Sequence, residues 1–122
     1  METLTLPSAA DDLRITVYRW TPEGPPRGAV VLAHGMGEHA LRYEPFARAL
    51  AGRGLQVWAP DHRGHGRSPG PGGLGDFGAG GWGALVDDLG ELVERAGAAV
   101  PRGRVVLFGH SMGSLAAQQY AV

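Results

Sequence analysis

Residues 109–114 read GHSMGS, and within them Gly109, Ser111 and Gly113 have the spacing G-x-S-x-G. The apolar run VVLF stands immediately before and LAAQQY immediately after, so the serine falls at a turn from strand to helix, the context that gives this motif its meaning. A tight turn there would lift the hydroxyl clear of the sheet, and the N-terminus of the next helix would aim N–H groups and partial positive charge at the same point. Glycines on either side carry no side chain to collide with elements crossing close by. Those are the requirements of a nucleophile for acyl transfer. Glycine and serine also make ordinary turns and helix N-caps. The flanking strand and helix patterns favour the nucleophile.

Acyl transfer needs a second hydrogen-bond donor where charge develops on the carbonyl oxygen. The segment AHGMGEH, residues 33–39, closes an earlier apolar run, and its glycines permit the backbone to turn inward. The expected donors are the backbone N–H groups of Met36 and Met112, with Gly35 making the approach possible. On the segment alone, a glycine turn beside a buried histidine reads equally well. A competing pattern overlaps it: Gly35, Gly37 and Ala40 spell GxGxxA, with Asp61 about twenty residues on, the outline of a dinucleotide-binding fingerprint. That reading leaves GxSxG unexplained and requires the motif to follow the first strand, whereas two strand patterns precede it.

The elements that must position these residues alternate along the chain. ETLTL (2–6) and LRITVYRW (13–20) alternate polar with apolar or β-branched residues, as the arms of an antiparallel hairpin would. AVVLA (29–33), LQVWAP (55–60) and RVVLF (104–108) are short continuous apolar runs, the pattern of strands buried on both faces. Between them, Tyr43, Phe46, Ala47 and Leu50, then Trp82, Leu85, Val86, Leu89, Leu92 and Val93, recur at helical spacing, and a last helix starts near Met112. The order implies an α/β fold: a mostly parallel sheet with right-handed crossovers and helices on both faces. The glycine-dense segment 68–81 joins two elements of one sheet and is expected to be an ordered surface loop. Asp61 is expected to cap the turn that follows it, and Asp87, Asp88, Glu91 and Glu94 to face solvent. His62 and His65 beside Asp61 have the look of a metal cluster; no metal and no cofactor are expected.

Composition narrows the field. The 122 residues suit one domain, and 11 basic against 12 acidic residues give no field to attract nucleic acid or an anionic surface. Every basic residue is arginine, so a phosphate-binding loop built on lysine is excluded. Without cysteine there is no thiolate nucleophile and no disulfide framework. No stretch approaches the roughly 18 apolar residues of a membrane span, and a cytoplasmic setting is the expectation.

The segment AHGMGEHALRYEPFARALAGRGLQVWAPDHRGHGRSPG, together with VVLFGHSMGS, closely resembles the α/β-hydrolase superfamily, and within it the monoacylglycerol lipase and lysophospholipase-like group, which includes proteins of the serine aminopeptidase S33 type. The resemblance rests on the HGxGEH loop, Arg42 and Tyr43, the DHRGHGRS turn at 61–68 and the GHSMG elbow. It implies that Ser111 is the nucleophile, that Met36 and Met112 supply the oxyanion donors, that DHRGHGRS is a structural turn, and that the substrate is a carboxylic ester of glycerol or a lysophospholipid. That pattern places an Asp and then a His after the nucleophile, and MGSLAAQQYAV contains neither. The expectation is therefore the N-terminal part of one hydrolase domain, its first five strands ending in the helix after the nucleophile. Alone it would be nearly inert, since loss of the base costs on the order of a million-fold. A non-catalytic module that associates with itself or a partner through an exposed strand edge is the other reading kept open.

Overall fold

The computed structural model describes all 122 residues. Strands β1 (Glu2–Pro7) and β2 (Arg14–Trp20) form the hairpin, with Glu2 opposite Arg19 and Leu6 opposite Ile15. Strands β3 (Gly28–Ala33), β4 (Leu55–Pro60) and β5 (Arg104–Gly109) follow, separated by α1 (Glu44–Ala51) and α2 (Gly81–Ala99), and α3 (Met112–Ala121) comes last. A short 3-10 turn, Ala40–Tyr43, leads into α1.

The spatial order is β1-β2-β4-β3-β5. The β4-β3-β5 part is parallel, as continuous apolar strands require, and the hairpin joins it antiparallel through β2 against β4. Strand β3 is buried along its whole length. Its residues alternate between two cores: Ala29, Val31 and Ala33 pack with Leu85, Leu89, Leu92 and Ala96 of α2 and with Met112 and Ala116 of α3. Val30 and Leu32 pack on the other face with Ala40 and Ala47. Each fully buried Val or Leu contributes about 1.5–3 kcal/mol relative to exposure, so β3 is the strand that fixes both helical layers. It also carries the loop bearing Met36. Strand β5, expected from its apolar run to be buried on both faces, is not: it pairs on one side only, with β3. Val105 and Leu107 pack against the α2–α3 core, while the other face leaves Val106 exposed and Phe108 covered only in part by Phe46.

The loop between β4 and α2 is ordered. Gly70 and Gly73 exchange backbone hydrogen bonds, Gly75 N–H donates to Gly64 C=O at 2.7 Å, and the Asp76 carboxylate accepts from Gly72 and Gly78 N–H. One expectation fails here. Asp87 is exposed, but Asp88 is not: it lies three residues after Leu85 and four before Leu92, on the buried stripe of α2, and only 6% of its side chain is exposed. It is held by Arg63, which is fully buried. Arg63 Nε donates to Asp88 at 2.8 Å, its terminal nitrogens donate to both oxygens of Asp11 at 2.8 and 3.0 Å, and further bonds reach Ser8 Oγ and Phe77 C=O. This cluster ties the hairpin turn, the β4–α2 loop and α2 together.

Candidate active site

Ser111 occupies the turn between β5 and α3 with φ +55° and ψ −120°, a backbone conformation that costs a non-glycine residue about 1–3 kcal/mol. Its side chain is exposed, and although the residue stands at the N-cap of α3 it makes no capping hydrogen bond, so the N-cap reading does not apply. The turn is fixed by its neighbours. His110 N–H donates to Ala33 C=O at 3.1 Å, Gly113 N–H to His110 C=O, and Ser114 N–H to Ser111 C=O.

The two flanking glycines are required sterically. A Cβ on Gly109 would stand 2.6 Å from Gly113 C=O and Ser114 Cα, and one on Gly113 would stand 2.0 Å from Ala33 C=O. The helix start is thus pressed against the end of β3. Gly35 makes the matching approach from the other side, where a Cβ would lie 3.2 Å from both His110 C=O and Ser111 Cβ.

Met36 lies in a turn closed by Glu38 N–H to Gly35 C=O at 3.1 Å, with Gly37 in the third position at φ +76°. That positive φ explains the second glycine of HGMG. Neither Met36 N–H nor Met112 N–H has an acceptor within the chain. Beside the turn runs an open cleft lined by Met36, Glu38, His65 and Leu74.

The histidines are spoken for, or stand apart from Ser111. His34 Nε2 accepts from His62 N–H at 3.0 Å, so its Nδ1 carries the proton and donates to Gly35 C=O at 2.8 Å. Burial lowers its pKa, and burial with its histidine neighbours pushes His62 well below the usual range. Both are neutral core groups. His65 donates through Nδ1 to Arg63 C=O. His110 turns to Glu38 Oε1 at 3.0 Å, and His39 is exposed. No histidine is hydrogen-bonded to Ser111 Oγ. Asp61 caps as expected and does more: one oxygen accepts from Arg67 N–H at 2.9 Å and the other from Ala40 N–H at 2.8 Å, tying the 61–68 turn to the start of the 3-10 turn. Buried and engaged in this way, its carboxylate is not free to hold a ribose, which removes the basis of the dinucleotide reading.

Glu38 was not singled out by sequence reasoning. Its carboxylate accepts from Gly35 N–H at 2.7 Å, Tyr43 Oη at 2.8 Å and His110 Nδ1, and pairs with Arg42 at 3.1 Å. Burial would raise its pKa, but the donors around it prevail and hold it at about 2. Burial and then the neighbouring carboxylate push Tyr43 up to about 12. The signal available in sequence was a carboxylate three residues after Gly35 and four before Arg42.

A strand-turn-helix serine at the end of a parallel strand, facing a glycine loop from the neighbouring strand, defines the α/β-hydrolase fold. A profile of the serine aminopeptidase S33 family matches residues 24–122, and the chain belongs to that family. Over 105 residues it is 44% identical to a monoacylglycerol lipase of Mycolicibacterium smegmatis, covering 83% of this chain and 35% of that protein. It is 39% identical over 105 residues to human monoglyceride lipase, covering 85% of this chain and 33% of the relative. Among solved structures, a thermostable carboxyl esterase from Bacillus coagulans in complex with glycerol superimposes with a TM-score of 0.90 at 34% identity, covering 98% of this chain and 39% of the other. The chain spans about a third of the length of the curated relatives it matches. No helix is long and apolar enough to cross a membrane.

Proposed function

We propose that these residues are the N-terminal part of one α/β-hydrolase domain in which Ser111 cleaves carboxylic esters of the monoacylglycerol or lysophospholipid type. The observation that carries the reading is an exposed serine held at φ +55° where the loops bearing two N–H groups without acceptors, those of Met36 and Met112, converge. Ser111 Oγ attacks the ester carbonyl carbon, the carbonyl π electrons move to oxygen, and the resulting oxyanion accepts from the two N–H groups. Collapse re-forms the carbonyl and breaks the C–O bond, the proton taken from Ser111 passes to the leaving oxygen to release the alcohol, and an acyl-serine remains. Water then releases the fatty acid and restores the hydroxyl.

The proton of Ser111 needs a base. None of the histidines here reaches its hydroxyl, and the resemblance assigns the base and its carboxylate partner to residues after the elbow. The names of the relatives support the substrate class, as does a fold shared with an esterase. The reading invokes no cofactor, metal or nucleic acid. It carries with it a cytoplasmic setting and, through the open edge of β5, a capacity for self-association. The test is release of fatty acid from a monoacylglycerol and from a lysophospholipid by the protein with a complete domain. Ser111→Ala is expected to lower turnover on the order of 10⁵- to 10⁶-fold; a loss of less than tenfold would remove Ser111 from the mechanism.

A further inference from the structure

The loop carrying Met36 and the elbow carrying Ser111 come from strands β3 and β5, and their separation decides whether two N–H groups converge on one oxygen. Backbone contacts set part of that separation, through His110 N–H to Ala33 C=O. The side-chain link is a single carboxylate. Glu38 reaches back to Gly35 N–H, forward to the Tyr43 hydroxyl at the end of the 3-10 turn, and across 72 residues to the ring of His110, the residue next to Ser111. Its own N–H closes the Met36 turn onto Gly35 C=O. Glu38 therefore holds the Met36 turn at both ends, by backbone and by side chain, and holds the elbow as well. The His110 ring is largely exposed, with the Tyr43 ring at 6.5 Å between centroids, and Glu38 is its only hydrogen-bond partner.

We propose that Glu38 is a positioning residue for the oxyanion site: it clamps the Met36 turn to the elbow through His110 and sets the distance between the donors and Ser111. The proposal rests on the reading of Ser111 as nucleophile and of the Met36 and Met112 N–H groups as oxyanion donors. Glu38 does not touch substrate in this scheme. Its effect is on the geometry in which charge is stabilised, so its loss appears in kcat rather than in KM. Arg42, paired with the second oxygen of Glu38, orients the carboxylate so that its first oxygen takes the three donors.

The experiment measures ester hydrolysis by the protein with a complete domain, with wild type, Glu38→Ala, Glu38→Gln, Tyr43→Phe, His110→Ala and Ser111→Ala compared. Misplacing an oxyanion donor costs on the order of 100-fold, so Glu38→Ala should lose about that in kcat with KM changed less than about threefold. Glu38→Gln keeps a neutral acceptor oxygen and should fall between. His110→Ala cuts only the link to the elbow and should lose about tenfold in kcat with the melting temperature unchanged, a result that a purely structural role for Glu38 does not produce. Should Glu38→Ala fail to fold, the His110→Ala and Tyr43→Phe values decide. Unchanged kcat in Glu38→Ala and His110→Ala, with Ser111→Ala inactive, overturns the clamp while leaving the nucleophile in place. An active Ser111→Ala overturns the reading beneath it.

Discussion

Replacing Gly113 with alanine adds one methyl group where α3 is pressed against β3. That carbon would sit 2.0 Å from Ala33 C=O, 2.5 Å from Ala33 C and 2.6 Å from His34 C=O. Ordinary contact is about 3.4 Å or more, and all three atoms are backbone at the C-terminal end of β3 and just beyond it, where Ala33 pairs with Gly109 and its C=O accepts from His110 N–H, so none can swing away. Relief requires α3 to retreat by roughly 1 Å, opening the contacts of Met112 and Ala116, both buried in the core shared with β3. Overpacking of this kind costs typically 1–3 kcal/mol, and with only backbone to yield, about 3 kcal/mol is expected. At roughly 3 °C per kcal/mol for a domain of this size, the melting temperature should fall by about 10 °C. Gly37→Ala is the contrast: it has φ +76° but nothing within 4 Å, so strain alone operates, at about 1 kcal/mol. Thermal unfolding followed by circular dichroism reads both. A Gly113→Ala melting temperature within about 2 °C of wild type would refute the close-approach argument.

Arg63→Met should cost about 3–5 kcal/mol in denaturant titration, because it leaves the Asp88 carboxylate, 6% exposed, without its cation. Asp11→Asn, at a side chain one-third exposed, should cost about 1 kcal/mol or less; equal losses in the two variants would contradict the burial argument. Stability should also fall in two stages on acidification. His34 and His62 are held below the ordinary 6.5, so the unfolded chain takes up protons that the folded one refuses, and stability declines as the pH drops below 6.5. Glu38 and Asp11, each held at about 2 against ordinary values of 4.5 and 3.8, contribute stability that is present above those ordinary values and lost as the pH falls toward 2. Unfolding midpoints measured from pH 8 to pH 3 should show both stages, and a flat profile between pH 7 and 5 would count against neutral buried histidines.

What was legible in the sequence was what local pattern controls. The apolar runs at β3, β4 and β5 gave strands, and the helical spacing of Leu85, Leu89 and Leu92 gave the inner face of α2. The glycines of GHSMG marked a close approach that Gly109 and Gly113 both make. What was not legible depends on partners far along the chain. Asp88 looks like its neighbour Asp87 until Arg63, 25 residues earlier, is brought beneath it by the loop after β4. Glu38 carries a local mark, its spacing from Gly35 and Arg42, but its tie to the elbow arises only when β5 delivers His110 to it from 72 residues away. The placing of β4 between β2 and β3 likewise follows from how the layers cover one another and leaves no mark in any single segment.

The central claim is that Ser111 is an activated hydroxyl facing backbone donors. It is tested most directly by reaction of the protein with a complete domain with a fluorophosphonate, followed by peptide mass mapping. The account predicts one adduct, on Ser111, and none in Ser111→Ala. Labelling that persists in Ser111→Ala, or that falls on another residue of the wild type, would contradict it.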